Sequence, residues 1–346
     1  MLGHPHRTAL TKCTAAMDSG AWRIRAKWVW AQAGISGGRG LRRVARAGRE
    51  LAGNIRAVAD SFYLPLGDGS WRATSHTTGP WDPRAQHGGP PSALLGRAIQ
   101  RCAPRDDMVI ARFTCEILGA IPVGDVEVSA RLTRPGRSVE FLEAVARAGG
   151  KDVARASAWR VLRTSSETIP PQASPPDLPP GPDGPPPSGR GEGYLPADPP
   201  GGAAGAAPSG WVDGYLSAVE WRPVSGQFFE LGPATVWTRL RYPLVPDEEP
   251  SSLERVLAVA DSGNGLSGVL DITKWLFINP ELTVHLHREA AGEWICVAAQ
   301  TAISAGGSGL ATSVLSDLDG QLGVGAQALL ISPRPPGPPP AASAGT

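Results

Sequence analysis

The sequence predicts an α+β protein of two similar units, each a curved antiparallel sheet wrapped around one central helix. Three observations carry that prediction. Each half of the 346-residue chain has one short apolar stretch at helical spacing and a long series of strand-like segments with turn residues between them. A segment dense in proline and glycine separates the halves. Sparse identities recur at an offset of 170 residues: Gly136, Ser138, Gly150 and Ala158 match Gly306, Ser308, Gly320 and Ala328.

Residues 1–58 read as a basic, disordered N-terminal extension, foreign in texture to the rest of the chain. The first 60 residues carry eleven Arg and Lys against three Asp and Glu, whereas the whole chain is only +1. The stretch has no sustained apolar period and lacks the apolar core of a secretory signal. Its charge run reads as solvated rather than as a nucleic-acid contact.

The first unit is expected over 59–163. The run FYLPLGDGSWRATS (62–75) sets a Gly-Asp-Gly turn between two apolar runs, a hairpin signal. In GPWDPRAQHGGPPSALLGRAIQRC, Pro90 and Pro91 suit a helix start, and Ala93, Leu94, Leu95, Ala98 and Ile99 make a short apolar helix. Strands are expected over 109–118, 125–133, 138–148 and 153–162, with a turn at Gly149-Gly150.

Residues 164–210 read as a linker, and 334–346 as a disordered tail. Fourteen of the 35 prolines fall in the linker, which cannot bury enough apolar surface to offset its ordering entropy; it should be extended and mobile. The second unit is expected over 211–333. Strand-like segments at 215–222 and 234–240 lead into SSLERVLAVADSGN (251–264), the stretch around which the chain is organised. Ser251 and Glu254 fit a capping box. Leu253, Val256, Leu257 and Ala260 make one apolar helix face, and Gly263 and Gly265 are expected to end it in a left-handed cap. Strands are then expected around Trp275 and over 283–287, 294–303, 310–316 and 325–332. A sheet wrapped around one helix buries that helix on most sides, which explains why both helices are short and apolar. Two such units in one chain make a tandem (double) hotdog.

Asp261 closes the organising helix. The helix dipole is negative there and burial disfavours charge, so both effects raise the carboxylate pKa and make it a better base. A solvated cap residue remains the plainer reading of this stretch alone.

Four segments carry a resemblance: QHGGPPSALLGRAIQR (86–101), the Asp261 helix, FINPELTVHLHR (277–288) and DGQLGVGAQALL (319–330). Together they resemble the double-hotdog acyl-CoA thioesterases, and among these the actinobacterial thioesterase-like proteins related to the TesB type. The resemblance covers about 61–334 outside the linker. It implies hydrolysis of acyl-CoA thioesters to free acid and CoA. It also implies that an Asp on the second helix, a Ser or Thr on the next strand and a Gln on the last strand hold the water. These positions fall on Asp261, Asn279 and Gln327. Asn279 departs from the family's hydroxyl; it offers an amide donor and a carbonyl acceptor instead. The resemblance further implies acyl-CoA as partner, two halves paired back-to-back through their sheets, and a homodimer of double hotdogs.

Thioester hydrolysis needs a positioned water, a base and a donor for the developing oxyanion. The backbone amides of Gly88 and Gly89 at a helix start suit the last role. His87 stands beside them, and Trp81 is one of eleven tryptophans that could line an acyl tunnel. Each has a plainer reading: Gln327 as a polar strand residue, Asn279-Pro280 as a turn, His87 and most tryptophans as structure.

No G-x-S-x-G elbow and no nucleotide-binding motif occurs, so a serine nucleophile and a nucleotide or redox cofactor have no support. His285 and His287 share a strand face without a third ligand, so no metal is expected. The four cysteines are far apart, which points to a reducing, cytoplasmic setting. No apolar run approaches the ~20 residues that span a bilayer. Two other functions compete. A hotdog hydratase is suggested by ADSGNG, but no His follows Asn264 until His285. A non-catalytic acyl-binding module is suggested by Asn279.

Overall fold

The computed structural model describes residues 60–164, 179–183 and 214–334; the expected extension, most of the linker and the tail from 335 lie outside the described residues. In chain order the elements are β1 (Tyr63–Gly67), β2 (Ser70–Ala73), a 3-10 turn (Ser75–Thr77), α1 (Gly89–Arg101), β3 (Met108–Ile117), β4 (Asp125–Arg134), β5 (Val139–Ala148) and β6 (Lys151–Leu162). The second half has α2 (Tyr215–Ala218), β7 (Val219–Ser225), β8 (Ala234–Leu240), α3 (Ser252–Ala260), α4 (Gly263–Leu266), β9 (Trp275–Ile278), β10 (Glu281–Leu286), β11 (Ile295–Ile303), β12 (Ser308–Asp317) and β13 (Gly320–Pro333).

All thirteen strands form one sheet, antiparallel at every pairing, in the order β1-β2-β4-β5-β6-β3-β10-β13-β12-β11-β8-β7, with β9 on β13. The order repeats about its centre, each strand of the first half having a counterpart in the second. The halves join edge to edge through β3 and β10, not back-to-back as the resemblance implied. Thr114 and Thr283 oppose each other there, with hydroxyls 3.2 Å apart. At the far end, the amides of Phe62 and Tyr63 donate to Pro243 and Leu244 beyond β8, so the two ends of the sheet curl toward each other.

The hairpin forms as expected. Gly67, Asp68 and Gly69 all take positive φ, which two glycines and an aspartate tolerate. The segment from Tyr215 departs from expectation: its first four residues are the helical turn α2, and the strand begins at Val219. Tyr215 is fully buried and its hydroxyl donates to the Ala258 carbonyl, so tertiary packing overrides the strand-like pattern.

Both long helices pack on one face of the sheet and against each other. Four contacts fix them antiparallel. A Cβ on Gly89 would lie 2.1 Å from the Ala258 carbonyl, and one on Gly96 2.5 Å from Leu257. Arg97 lies beside Glu254, and Ser251 bonds Gln100. The start of α1 therefore meets the end of α3. α3 begins with the expected capping box between Ser251 and Glu254. Its apolar residues are buried all round, as a helix inside a curved sheet requires.

α3 ends sooner and differently than expected. Asp261 is its C-cap in ordinary helical geometry (φ −65°), and α4 follows with neither Gly263 nor Gly265 left-handed. Gly263 is needed for space, because a Cβ there would lie 3.0 Å from Gln327 Oε1. Within the linker, the described Pro180 carbonyl accepts from Trp237 Nε1 at 2.6 Å, so this piece lies over β8.

Candidate active site

Strand β13 pairs with β10 up to Ala326 and with β9 from Leu330. The gap between falls where Asn279-Pro280 separates β9 from β10, because proline cannot donate to a ladder. Glu281 seals part of that gap, its Oε1 accepting from the Ala328 amide at 2.7 Å. Gln327 lies in the same gap. Its register shows why it points inward: Ser157 opposes Thr114 and Ala326 opposes Thr283, so Gln327 corresponds to Ala158, not to Ser157 as the offset of 170 suggested. A one-residue slip exchanges the faces of a strand.

Asp261, Asn279 and Gln327 meet in one buried network. Asp261 Oδ1 accepts from Asn279 Nδ2 at 2.7 Å and from Gln327 Nε2 at 3.2 Å. Gln327 Nε2 also donates to the Asp261 main-chain carbonyl at 3.0 Å, and its Oε1 accepts from the Asn264 amide at 3.1 Å. Asn279 Nδ2 makes a second bond, to the Glu281 carbonyl at 3.0 Å, so both of its amide hydrogens are used within the protein.

Asp261 is 4% exposed. Burial pushes its pKa up to about 7; the bonds from Asn279, Gln327 and the Gly88 backbone oppose that rise, and nearby Glu281 adds to it. The start of α1 lies across from Oδ2. A Cβ on Gly88 would sit 2.6 Å from that oxygen, so only glycine lets the carboxylate come so near. His87 Nδ1 approaches Oδ2 at 3.3 Å. This is not an ion pair. Burial holds His87 neutral, with its pKa pushed down to about 3, and Nδ1 already accepts from the Gly89 amide at 3.1 Å. The His87 ring stacks on Tyr215, centroids 3.8 Å apart. The Tyr215 hydroxyl also meets Ser262 at 2.9 Å.

Two cavities open on this network. A smaller one of about 300 Å³ is mostly apolar, lined by Leu216, Phe228, Leu231, Leu270 and Phe277 among others. A larger one of about 570 Å³ is lined by Gly88, Ile117, Ile121, Asp261, Asn279 and Arg334 among others. Trp81, His87 and Asn264 line both. Trp81 meets Phe277 edge-on at 5.2 Å and lies under the Arg334 guanidinium. All seven sequence-derived candidates therefore fall in one place. Sequence reasoning missed Glu281, Tyr215 and the bonds of Asn264. Glu281 could have been found from its position two residues beyond Asn279; Tyr215 was hidden in a segment read as strand.

The antiparallel sheet over two packed helices matches known folds. A hot dog fold protein from Alicyclobacillus acidocaldarius is 16% identical, with a TM-score of 0.57, covering 81% of this chain and 98% of its own. Acyl-CoA thioesterase II TesB2 from Mycobacterium marinum is 15% identical, with a TM-score of 0.52, covering 83% and 100%. A tesB protein from Mycobacterium avium subspecies paratuberculosis is 16% identical, with a TM-score of 0.52, covering 81% and 99%. The fold is thus of the hot dog class. Comparison with curated protein sequences gives no match. Two family models do match, the acyl-CoA thioesterase N-terminal domain over 77–161 and the acyl-CoA thioesterase C-terminal domain over 191–331. Together they take in more than half of the sequence, and the chain belongs to the acyl-CoA thioesterase family. No helix among the described residues is long and apolar enough to cross a membrane.

Proposed function

We propose that this protein hydrolyses acyl-CoA thioesters to free acid and CoA by means of a water activated by Asp261. The observation that carries the reading is the buried Asp261 carboxylate, held by Asn279 and Gln327 on the wall of the larger cavity. Ionised Asp261 takes a proton from the water as it attacks the thioester carbonyl carbon. The carbonyl electron pair moves to oxygen and returns as the carbon–sulfur bond breaks, and the leaving thiolate takes the proton from Asp261. A group with a pKa near the working pH suits both transfers. Asn279 and Gln327 fix the carboxylate and leave Oδ2 to face the reacting centre. Trp81, His87, Gly88 and Gly89 frame the substrate there, the glycines by leaving room. The smaller, apolar cavity suits an acyl chain and the larger one the arm of CoA.

The reading extends to architecture. The two halves are a double hotdog with α1 and α3 as central helices, in units of 59–163 and 211–333 joined by the linker 164–210. Two such chains form a homodimer, for which the outward Leu310, Val314, Val324 and Leu330 are the support. Cys102, Cys115 and Cys296, unpaired among the described residues, support a cytoplasmic setting. Light scattering on purified protein tests the dimer.

Free-thiol release from a panel of acyl-CoAs, short to long, tests the reaction, with turnover of at least one member expected. A second reading, an acyl-CoA binding protein without turnover, is favoured by Asn279, whose amide hydrogens are both spent on protein acceptors. Binding without thiol release across the panel would select it.

A further inference from the structure

We propose that the Arg334 guanidinium binds the phosphate that ends the pantetheine arm of CoA, and so decides which end of the substrate enters the larger cavity. The inference rests on the hydrolytic reading and names the residue that recognises its carrier.

CoA carries its negative charge at one end of the pantetheine arm, and the thioester and acyl group lie at the other. The two cavities divide charge in a matching way. Glu230 and Asp271 line the smaller one, and no Arg or Lys does. Arg334 is the one Arg or Lys that lines the larger. The two carboxylates of the larger cavity are already engaged. Asp261 is held by Asn279 and Gln327, and Asp82 pairs with Arg84 at 2.8 Å. A phosphate is therefore repelled from the first cavity and drawn to the second.

Arg334 directly follows β13 and is half-buried. Its contacts are with neutral groups. Its amide donates to the Lys274 carbonyl at 2.8 Å, and its Nε donates to the Ile272 carbonyl at 3.1 Å. The guanidinium lies over the Trp81 ring, 5.6 Å from the centroid, and Trp81 is braced edge-on by Phe277. Among the described residues no acceptor meets the two Nη atoms, and neither is sealed away from solvent. A guanidinium held at Nε and on one face, with its outer N–H groups free, is a preset fork for phosphate oxygens.

The spacing also fits. Asn279 bonds the Asp261 carboxylate, and β9 runs back from it toward Lys274, the backbone partner of Arg334. Five residues of extended chain, from Asn279 to Lys274, span about 17 Å. The pantetheine arm has about thirteen bonds from sulfur to phosphorus, as many as four to five residues, and reaches about 15 Å when extended. Leu276 and Ile278, which line the larger cavity between those points, offer the arm apolar contact.

The test places one acyl group on three carriers: CoA, phosphopantetheine, which ends in that phosphate, and pantetheine, which lacks it. Arg334→Gln should raise KM on the first two roughly ten- to a hundredfold, as the loss of hydrogen bonds to a charged group does, with kcat little changed. KM on acyl-pantetheine should not move. Arg334→Lys keeps the charge without the fork and should lose less than Arg334→Gln. A merely structural role would weaken all three substrates alike. A shift under about threefold on acyl-CoA, an equal loss on all three, or a loss confined to acyl-CoA overturns the proposal. So does a higher wild-type kcat/KM on the same acyl group borne by an acyl carrier protein, which would make that protein the source of the phosphate. Should Arg334→Gln fail to fold by circular dichroism, Arg334→Lys is judged by the same contrast between carriers. Calorimetry with CoA itself needs no turnover: wild type should bind it at least about tenfold more tightly than Arg334→Gln, and equal affinities overturn the contact. If that difference holds while wild type releases no thiol, the hydrolytic reading falls and the phosphate contact stands.

Discussion

One nitrogen of Gln327 donates to both the main-chain carbonyl and the carboxylate of Asp261, at 3.0 and 3.2 Å. A single side chain thus fixes the turn that ends α3 and the orientation of the carboxylate beyond it. Gln327→Ala should lower kcat/KM about ten- to a hundredfold, in line with the loss of a supporting hydrogen bond at a reacting group. It also removes a donor that favours the charged form of Asp261, so the pH at which activity rises should move upward. Asn279→Ala removes the shorter bond, at 2.7 Å, and should move it further the same way. Rate–pH profiles of the two variants check both shifts; an unmoved profile would mean that neither residue tunes Asp261.

Wild-type kcat/KM should rise with pH through about 7 and level off above it, because Asp261 acts as a base only when ionised. A profile measured between pH 5 and 9 decides this. A rise centred near 4 would show that the carboxylate is hydrated, not buried.

The same shift has a cost to folding, with a definite sign. The folded-state pKa of about 7 lies above the ordinary 3.8, so between those values the folded chain holds a proton that the unfolded chain has lost. Stability therefore falls as pH rises through that window, and the full loss is present above pH 7. Asp261→Asn should be more stable than wild type at pH 8, by about 2–4 kcal/mol at most, and equal to it near pH 4. Urea unfolding at the two pH values checks the difference. A variant less stable at pH 8 would contradict it.

Much of this was legible in the sequence, for reasons that single residues make plain. The capping box of Ser251 and Glu254 and the Gly-Asp-Gly turn act within a few residues, so local pattern finds them. Asp261 was legible from its place at the end of an apolar helix, and Asn279 and Gln327 only through the resemblance. What stayed hidden depends on partners far along the chain. Tyr215 is helical because its ring packs under His87, 128 residues earlier. Gln327 faces the site because of a strand register that an offset of 170 misplaces by one residue. The amide of Gly89 looked free because a sequence does not show that His87 Nδ1 takes it.

The closest approach of the two helices should govern folding more than catalysis. Gly89→Ala would place a Cβ 2.1 Å from the Ala258 carbonyl, a backbone atom that cannot turn aside. It should cost about 3 kcal/mol or more, as overpacking of a rigid core does. Gly119→Ala, with nothing within 4 Å of its Cβ, should leave stability unchanged. Chemical unfolding of both variants beside wild type checks the contrast; two equal stabilities would mean that the helices are free to part.

The most direct test of a water activated by Asp261 is free-thiol release by Asp261→Asn beside wild type, on an acyl-CoA that wild type turns over, with binding measured separately by calorimetry. The variant should bind that acyl-CoA about as well and release thiol at least about a hundredfold more slowly, since general-base contributions reach about 10²–10⁴-fold. Release within tenfold of wild type, with binding intact, would show that another group takes the proton and that the buried carboxylate is there for the fold.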